Sequence, residues 1–405
     1  MKRTFLLIIA IAGILAIFNS CNKQSTYKAL IITGQNNHNW SASSKVLKQL
    51  LDQTGLFSSS IAITPPQGKD MGNFKPDFTK YNVVILDYNG DSWSDKTKAA
   101  FTDYVKNGGG VVIYHAADNS FPDWKEYNEM IGLGGWGNRN QKDGPYVYYK
   151  KDSLVMDTAN GNAGSHGERH AFLVRIRKSE HPITLGLPEK WMHAEDELYS
   201  QLRGPAKNME ILATAYADTS KHGTGRDEPV LFTINYEKGR IFHTTLGHSG
   251  NDEKSFPALE CAGFIITFQR GAEWAASGAV TQAVPVDFPN SASVVRYPDY
   301  KALTLDEIMK KIGQYEVGKT RFYFADLQNY IRKSDGKAET LLMYEKKMVK
   351  LLQNKHTSID SKKLIIKELS WMGSKYSIGV LKELEKSDDL KDEVRFTLSR
   401  LDTGK

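Results

Sequence analysis

Cysteine is almost absent from this sequence of 405 residues, which contains only Cys21 and Cys261. Cys21 directly follows an N-terminal leader, so Cys261 is the only other thiol that the chain offers. This scarcity excludes a disulfide framework within the mature chain and a cysteine-rich zinc site. The core must therefore be held together by the burial of apolar side chains.

Long hydrophobic runs are also scarce. The longest, Phe5 to Phe18, has 14 residues, which is short for a membrane-spanning helix. Two basic residues precede it and Asn19-Ser20-Cys21 follows it, which predicts a signal peptide over residues 1–20. The end of this leader resembles the lipobox of bacterial lipoproteins, which implies lipidation of Cys21; an ordinary secreted protein is the alternative. Either interpretation places the mature chain outside the cytoplasm, and lipidation would anchor it to a membrane, in the periplasm or at the outer membrane.

A strong charge of one sign is missing from most of the chain. The formal net charge is +6, but residues 303–405 contain 21 Lys and Arg against 16 Asp and Glu, and the leader adds two more positive charges. Residues 21–302 are therefore close to neutral and contain no basic stripe interleaved with aromatic residues. This pattern excludes nucleic acid as the partner.

Apolar runs alternate with amphipathic stretches in the first part of the chain. The pattern predicts buried strands at residues 28–33, 61–64, 82–88 and 110–115, and helices at residues 41–53 and 94–107. A loop-rich region, 132–167, precedes further strands at 171–177, 210–216, 229–236 and 239–247 and a closing helix at 256–275. This order predicts a mostly parallel sheet with helices on both faces.

Two further regions follow this domain. Residues 279–302, which contain several prolines and small residues, are predicted to form a linker. Residues 303–402 predict a small all-α domain, and residues 360–401 resemble a HEAT-type helical repeat with Gly373 between its first two helices. Because one repeat cannot bury its apolar face alone, the preceding helices should stack on it or dock on the sheet. Such a tail is a candidate docking element for a protein partner.

Histidines follow three of the predicted strands. His38 comes after the first strand, His115 ends the fourth and His248 follows the last. Loops after parallel strands share one edge of a sheet, so these imidazoles can converge on one crevice. A histidine in such a place can transfer a proton or bind a metal ion. Each histidine taken singly is equally consistent with a polar loop residue.

Acidic and aromatic residues supply further candidates. The segment "HAEDELY" (193–199) contains three acids, and we expect Asp196 or Glu197 to face the crevice as a general base or as an acceptor for a sugar hydroxyl. Trp40 or Trp136 would offer an aromatic face to a ligand in this crevice. The segment "HGERH" (166–170) has the spacing of a helical metal site, but its neighbouring glycines argue against a helix there.

At these motifs the chain resembles the ThuA-like (trehalose utilisation) family. The resemblance covers residues 27–275 and is based on three segments in order, "GGGVVIYHAADNSFPDWKEYNEMIG", "HPITLGLPEKWMHAEDELYS" and "KGRIFHTTLGH". It implies a class I glutamine-amidotransferase-like fold, a variant of the flavodoxin-like α/β sheet. It also implies a role in the utilisation of sugars, notably trehalose and 3-keto sugars.

The resemblance also implies a set of site residues. The positions that match its motifs are His38, His115, His170, His181, Asp196, Glu197, Tyr199 and His248. His181 precedes a proline in a turn and is interpreted as structural. The catalytic candidates are His38, His115, His248, Asp196 and Glu197, and the substrate-binding candidates are Trp40, Asp118, Trp136, His170 and Tyr199.

The chain departs from the true amidotransferases at the nucleophile. Those enzymes present a cysteine in a G-x-C-x-G turn, and this sequence has His115 at the end of the corresponding strand instead. Cys261 lies in a predicted apolar helix and is interpreted as a core residue. Glutamine hydrolysis through a thiolate is therefore excluded.

Two classes of function remain open at this point. The first is an enzyme that processes a disaccharide or a 3-keto sugar by proton transfer between histidine and carboxylate, as a hydrolase, lyase or isomerase. A divalent metal ion that polarises the carbonyl is one option for its cofactor. The second is a non-catalytic sugar-binding or scaffold lipoprotein, which would need aromatic and acidic residues but no convergent histidines.

Overall fold

The computed structural model describes residues 26–251, 253, 255–285, 287–297, 305–317, 322–334 and 336–402. The predicted signal peptide and Cys21 lie outside these ranges. Within them, no helix has both the length and the apolar character that crossing a membrane requires.

The strands belong to one large sheet and one small antiparallel pair. Their bounds are β1 Tyr27–Thr33, β2 Phe57–Ile63, β3 Val83–Leu86, β4 Gly110–Tyr114, β5 Tyr146–Lys150, β6 Ser153–Asp157, β7 Ser165–His166, β8 His170–Ile176, β9 Lys190–Asp196, β10 Tyr199–Ser200, β11 Met209–Tyr216, β12 Asp227–Tyr236 and β13 Gly239–Thr244. The small pair consists of β7 and β10, and the other strands form the large sheet.

The helices divide between the sheet domain and the tail. Those of the sheet domain are α1 Trp40–Gln53, α2 Asp95–Lys106, α3 Lys125–Ile131, α4 Pro257–Glu260 and α5 Ala262–Ser277. Those of the tail are α6 Leu305–Ile312, α7 Phe322–Lys333, α8 Ala338–Gln353, α9 Ile359–Met372, α10 Lys375–Leu384 and α11 Lys391–Asp402.

One half of the large sheet is parallel. Its strands lie in the order β2-β1-β3-β4-β13, and each neighbouring pair is parallel. Every residue of β3 and of β4 is buried, as expected for strands that helices cover on both faces. The chain order places the switch point between β1 and β3, where ligands bind in sheets of this type.

The other half of the sheet is antiparallel. It continues from β13 through β12, β11 and β8 to β9, and β5 and β6 extend from β12. The strands predicted after residue 170 are all present, but no α-helix separates them, so neighbouring strands in the chain pair with reversed direction. The fold is thus a mixed sheet with a parallel, flavodoxin-like half, and it matches the predicted fold class.

The sheet separates two apolar cores. On one face, leucines of α1 and phenylalanines of α5 pack in one cluster with Ile31 and Val112. On the other face, α2 and α3 contribute Phe101 and Tyr127 to a second cluster. The Ser94 side chain caps α2 by accepting a hydrogen bond from the Thr97 amide, as its position before the helix predicts.

The segment predicted as a linker is packed against the sheet domain in its described part. The Met192 amide donates to the Asn290 carbonyl (2.8 Å), and the Ala262 amide donates to the Val295 carbonyl (2.9 Å). The Phe288 ring also lies against the buried Trp191 ring, with 5.4 Å between centroids. Its prolines prevent regular secondary structure, yet its apolar side chains cover the core. The boundary of the folded domain therefore lies near Tyr297 and not at residue 278.

The tail forms its own apolar core. Ile312, Met348, Ile365 and Leu381, which come from four different helices, pack in one cluster. The helices before the HEAT-like segment therefore stack on it, which was one of the two predicted arrangements. Gly373 caps the end of α9 just before α10 begins. Helix α7 also contacts α1 of the sheet domain.

We predict that the sheet domain is separable from the tail only when residues 286–297 are kept. A chain that ends after Pro285 loses the contacts of Phe288, Asn290 and Val295, which should cost about 3 kcal/mol or more. A chain that ends after Tyr297 keeps them. We expect the shorter chain to melt about 6–12 °C below the longer one in a thermal unfolding experiment. Equal melting temperatures would show that the segment is a free linker after all.

Candidate functional site

Three histidines from three strand ends form a cluster at one edge of the sheet. His38 lies between β1 and α1, His115 directly follows β4, and His248 lies four residues beyond β13. The ring centroid of His38 lies 4.7 Å from that of His115 and 4.8 Å from that of His248. All three side chains are more than nine-tenths buried. Because the loops after parallel strands lie at one edge of the sheet, residues that are up to 210 positions apart in the sequence meet here.

A carboxylate completes this cluster. Glu197 follows the last residue of β9, and its Oε2 atom lies 3.5 Å from His38 Nε2, 3.8 Å from His115 Nε2 and 3.2 Å from His248 Nδ1. These four ligand atoms all lie within 4.8 Å of one another, so the residues could hold a metal ion. We refer to His38, His115, His248 and Glu197 as the His3Glu cluster.

The outward-facing nitrogen of each imidazole has an oxygen partner. His115 Nδ1 lies 2.6 Å from the main-chain carbonyl of Thr245, and His38 Nδ1 lies 3.3 Å from the side-chain oxygen of Asn36. His248 Nε2 lies 3.4 Å from a carboxylate oxygen of Glu253. Since these oxygens accept hydrogen bonds, the N–H of each ring points outward and the lone pair points into the cluster.

Burial and the neighbouring groups set the protonation state of the cluster. Burial, together with the neighbouring His38 imidazole, lowers the pKa of His115 to about 3. Burial alone would raise the pKa of Glu197, but its interactions with the imidazoles of His248, His38 and His115 outweigh burial and hold this pKa well below its usual range. The cluster therefore contains a neutral imidazole at His115 and an ionised carboxylate near neutral pH.

Asp196 lies behind the cluster and is fully buried. Its Oδ1 accepts hydrogen bonds from the main-chain amides of Glu197 (2.7 Å) and His248 (3.0 Å). Its Oδ2 accepts from the Gly247 amide (2.8 Å) and from His193 Nε2 (2.8 Å). Asp196 therefore fixes two members of the cluster through their backbones and does not face the cavity, although the sequence had suggested a direct contact with substrate.

The buried charge of Asp196 is balanced by His193. Burial opposes protonation of this imidazole, but Cys261 and Asp196 outweigh it and raise the pKa of His193 to about 10. The hydrogen bond from His193 in turn outweighs burial and lowers the pKa of Asp196.

Cys261 is buried, as expected from the sequence. It lies at the junction of α4 and α5 and not inside a helix, and its Sγ accepts a hydrogen bond from the Ala194 amide at 3.4 Å.

A second buried carboxylate, that of Asp87, is connected to His38 through the side chain of Asn36. Asp87 follows β3 and accepts hydrogen bonds from Asn36, Ser43 and Thr33. Burial raises its pKa to about 8, so it is mainly protonated at neutral pH. Asn36 thus joins Asp87 to His38. Sequence reasoning missed Asn36, Asp87 and Glu253, although the polar residue directly after the run "NVVIL" was a usable signal for Asp87.

A cavity of about 450 Å³ opens above the His3Glu cluster. Its wall combines amide, imidazole and carboxylate groups with the rings of Trp136 and Tyr199, and it includes no lysine or arginine among the described residues. The lining residues are Asn37, His38, Asn89, Asn119, Trp136, Gly137, His166, Glu197, Tyr199, His248 and Gly250. Amide side chains and aromatic rings of this kind suit a neutral ligand with several hydroxyl groups.

The aromatic residues of the cavity are held in place by packing. Tyr199 stacks on His115 with 4.3 Å between ring centroids, and Trp136 meets Tyr199 edge-on at 4.8 Å. His115 and Trp136 both have positive φ angles (45° and 50°), which are uncommon for such residues and cluster at functional sites. Gly164 leaves the space that the Trp136 ring occupies, because a Cβ atom at position 164 would lie 2.6 Å from this ring.

The predicted substrate-binding residues divide into two groups. Trp136 and Tyr199 line the cavity, whereas Trp40, Asp118 and His170 are not part of its wall. Asp118 is fully buried and lies 3.7 Å from His243, and His170 Nδ1 lies 2.7 Å from the Glu168 carbonyl.

His166 was not among the substrate-binding candidates that the sequence suggested. His166 appeared only as half of an unfavoured metal pair with His170, yet it lines the cavity. It is exposed, and its Nε2 lies 4.0 Å from the second carboxylate oxygen of Glu197.

Comparisons with known proteins agree with this fold. A family model described as "ThuA: Trehalose utilisation" matches residues 28–275. A solved ThuA-like protein from Parabacteroides merdae is 52% identical, covers 68% of this chain and 99% of its own, and has a TM-score of 0.66. Another, from Bacteroides uniformis, is 18% identical over 63% of this chain and 93% of its own, with a TM-score of 0.41. No curated protein matches the chain.

We predict that Asp196→Asn destabilises the protein although it keeps the size of the side chain. In either orientation the new NH₂ group faces two N–H donors, so two of the four hydrogen bonds are lost and the His193 cation loses its partner. Breaking a buried pair in this way costs about 3–5 kcal/mol. Urea unfolding measures this loss.

The matched control for this variant is Glu195→Gln at the exposed neighbouring position, which should stay within about 0.5 kcal/mol of the wild type. A double variant with His193→Gln should lose less than the sum of the two single variants, since the two residues share one interaction. An Asp196→Asn protein as stable as the wild type would contradict the positioning role.

Proposed function

The chain belongs to the ThuA family, which is linked to trehalose utilisation, and from this premise we propose that it is an extracytoplasmic lipoprotein that processes a disaccharide or a 3-keto sugar. The observation that carries the proposal is the convergence of three strand-end histidines and Glu197 beneath one cavity. A binding protein has no need of such a cluster, since aromatic and amide side chains alone recognise sugars. The convergence therefore favours the enzyme over the non-catalytic sugar-binding or scaffold lipoprotein.

The wall of the cavity supports a carbohydrate as the substrate. Asn37, Asn89 and Asn119 each offer an amide that can both donate to and accept from sugar hydroxyls. Trp136 supplies an aromatic face against which a pyranose ring can pack. The proposed substrate is therefore a neutral sugar, recognised by these amides and this aromatic ring.

The chemistry of a keto sugar matches the groups in the cluster. The protons next to its ketone are acidic, and their removal requires a base together with stabilisation of the developing oxyanion. His115 lies at the centre of the cluster beneath the cavity, and its Nε2, which has no hydrogen-bond partner among the described residues, can serve in proton transfer or as a metal ligand. This proton transfer is the first step shared by elimination of a glycosidic substituent and by isomerisation, so both reactions fit the same site.

The helical tail is proposed as a docking element. Tyr376 and Phe396, on α10 and α11, are half exposed, and so is Trp371 at the end of α9. Large apolar side chains that remain exposed on one folded unit are typical of protein contact surfaces. We propose that this unit holds a protein partner near the sheet domain while the catalytic cavity, which none of the described tail residues lines, works independently.

We predict that the purified protein converts at least one member of a panel of native and 3-keto disaccharides, with mass spectrometry of the products as the readout. His115→Gln keeps a hydrogen-bonding side chain of similar size but is not basic, so turnover should fall about 10²–10⁴-fold. His170→Gln is the matched control, because this histidine lies outside the cavity, and it should retain turnover.

Two results would contradict this proposal. A protein that binds a sugar of the panel by calorimetry but converts none of them would be a binding protein. Near-full turnover by His115→Gln would show that this imidazole has only a structural role.

We predict that lipidated Cys21 anchors the protein to a membrane. The leader of 14 apolar residues and Asn19-Ser20 directly precede this cysteine. Cys21→Ala should move the protein from the membrane fraction to the soluble fraction, and Cys261→Ala, at a buried cysteine, is the control that should leave fractionation unchanged. Wild-type protein found in the soluble fraction would contradict the anchor.

A further inference from the structure

We propose that the His3Glu cluster binds one divalent transition-metal ion, of the Zn²⁺, Mn²⁺ or Fe²⁺ class, and that this ion is the electrophile of the site. The inference deepens the proposed function and rests on it for the role of the ion. The binding of the ion itself stands on the four side chains alone.

The first argument is the spacing of the four ligand atoms. A tetrahedral centre with bonds of about 2.0–2.1 Å separates its ligand atoms by about 3.4 Å. The distances from Glu197 Oε2 to the inward nitrogens of His248, His38 and His115 are 3.2, 3.5 and 3.8 Å. Since all four atoms lie within 4.8 Å of one another, side-chain rotations that move the nitrogens by about an ångström would bring them onto one ion.

The second argument is that the inward lone pairs lack other partners. His115 Nε2 and His248 Nδ1 are buried and make no hydrogen bond within the described residues. Buried nitrogens are normally satisfied, and an unsatisfied one costs free energy. A network of hydrogen bonds alone would leave these two atoms unpaired, whereas a metal ion would accept both lone pairs.

The third argument is the orientation of the rings. Imidazoles that bind metals almost always donate their other N–H to a carbonyl, an amide oxygen or a carboxylate. All three kinds of acceptor occur here: the Thr245 carbonyl behind His115, the Asn36 side chain behind His38 and Glu253 behind His248. The same pattern at three rings from separate loops points to a metal and not to three independent structural histidines.

The donor atoms also select the class of ion. Three imidazole nitrogens and one carboxylate oxygen suit zinc and the neighbouring transition metals. Mg²⁺ and Ca²⁺ prefer all-oxygen shells and would be bound much more weakly. The one carboxylate of the cluster also leaves the ion with a net positive charge, which can polarise a sugar carbonyl.

The position of the ion would place it at the floor of the cavity. His38, Glu197 and His248 are at once members of the cluster and part of the cavity wall. A carbonyl oxygen of a keto sugar that enters the cavity can therefore reach the ion as an additional ligand. The amides of Asn89 and Asn119 lie in the same wall and can orient the hydroxyl groups of this sugar.

Metal binding can be measured without any substrate. The purified protein is treated with a chelator, dialysed and titrated with Zn²⁺ and, separately, Mg²⁺ by calorimetry, and with Co²⁺ by visible absorption. We expect one equivalent of Zn²⁺ at micromolar affinity or better, no comparable Mg²⁺ signal, and Co²⁺ bands typical of four or five ligands with nitrogen donors. Glu197→Gln and His115→Gln should each lower the Zn²⁺ affinity more than about 100-fold, and Asn36→Ala about 10–100-fold.

His166→Gln is the matched control, since this imidazole lines the same cavity but lies outside the cluster. It should bind Zn²⁺ within about threefold of the wild type. If Glu197→Gln fails to fold by circular dichroism, His38→Gln tests the same ligand set. Wild-type protein without a Zn²⁺ site, or equal affinity in the cluster variants, would overturn the inference. A protein that binds Zn²⁺ but converts no sugar would keep the metal site and reject the proposed function.

Discussion

The carboxylate of Asp196 is the contact on which the rest of the site depends. It comes from β9 in the antiparallel half of the sheet, and it holds the backbone of the loop that follows β13 in the parallel half. The same carboxylate orients the Glu197 amide, so it sets the distance between Glu197 and His248. A buried anion in this place is tolerated because His193 carries a compensating charge. The spacing of the cluster is therefore a property of the junction between the two half-sheets.

Much of this arrangement follows from the sequence by one topological rule. His38, His115 and His248 come at or shortly after the ends of runs that read clearly as buried strands. Parallel strands present their carboxyl ends at a common edge, so their convergence could be predicted without any knowledge of distances. The same runs predicted the fold class, since β3 and β4 in the middle of the parallel half are wholly apolar and buried.

The remaining features depend on contacts that a sequence pattern does not record. Asp196 and Glu197 are neighbours, and the residue at which β9 ends decides which carboxylate turns toward the cavity. Asp118 and His170 lie beside well-predicted motifs, yet Asp118 faces the buried side chain of His243 and His170 contacts the Glu168 carbonyl. The proline-containing segment before the tail reads as a linker because nothing in its composition reveals that Phe288 packs on Trp191. In each case long-range packing overrides the local pattern.

The four members of the cluster are spread over more than half of the chain, from position 38 to position 248, and each lies on a different loop. In the unfolded chain, therefore, no two of these four residues are close together in sequence. An ion that requires all four cannot act as a nucleus for folding. It would bind only after both half-sheets have joined. Occupancy would then report complete folding, and at a free concentration 100 times its dissociation constant the ion would add about 2.7 kcal/mol to the stability of the finished domain alone.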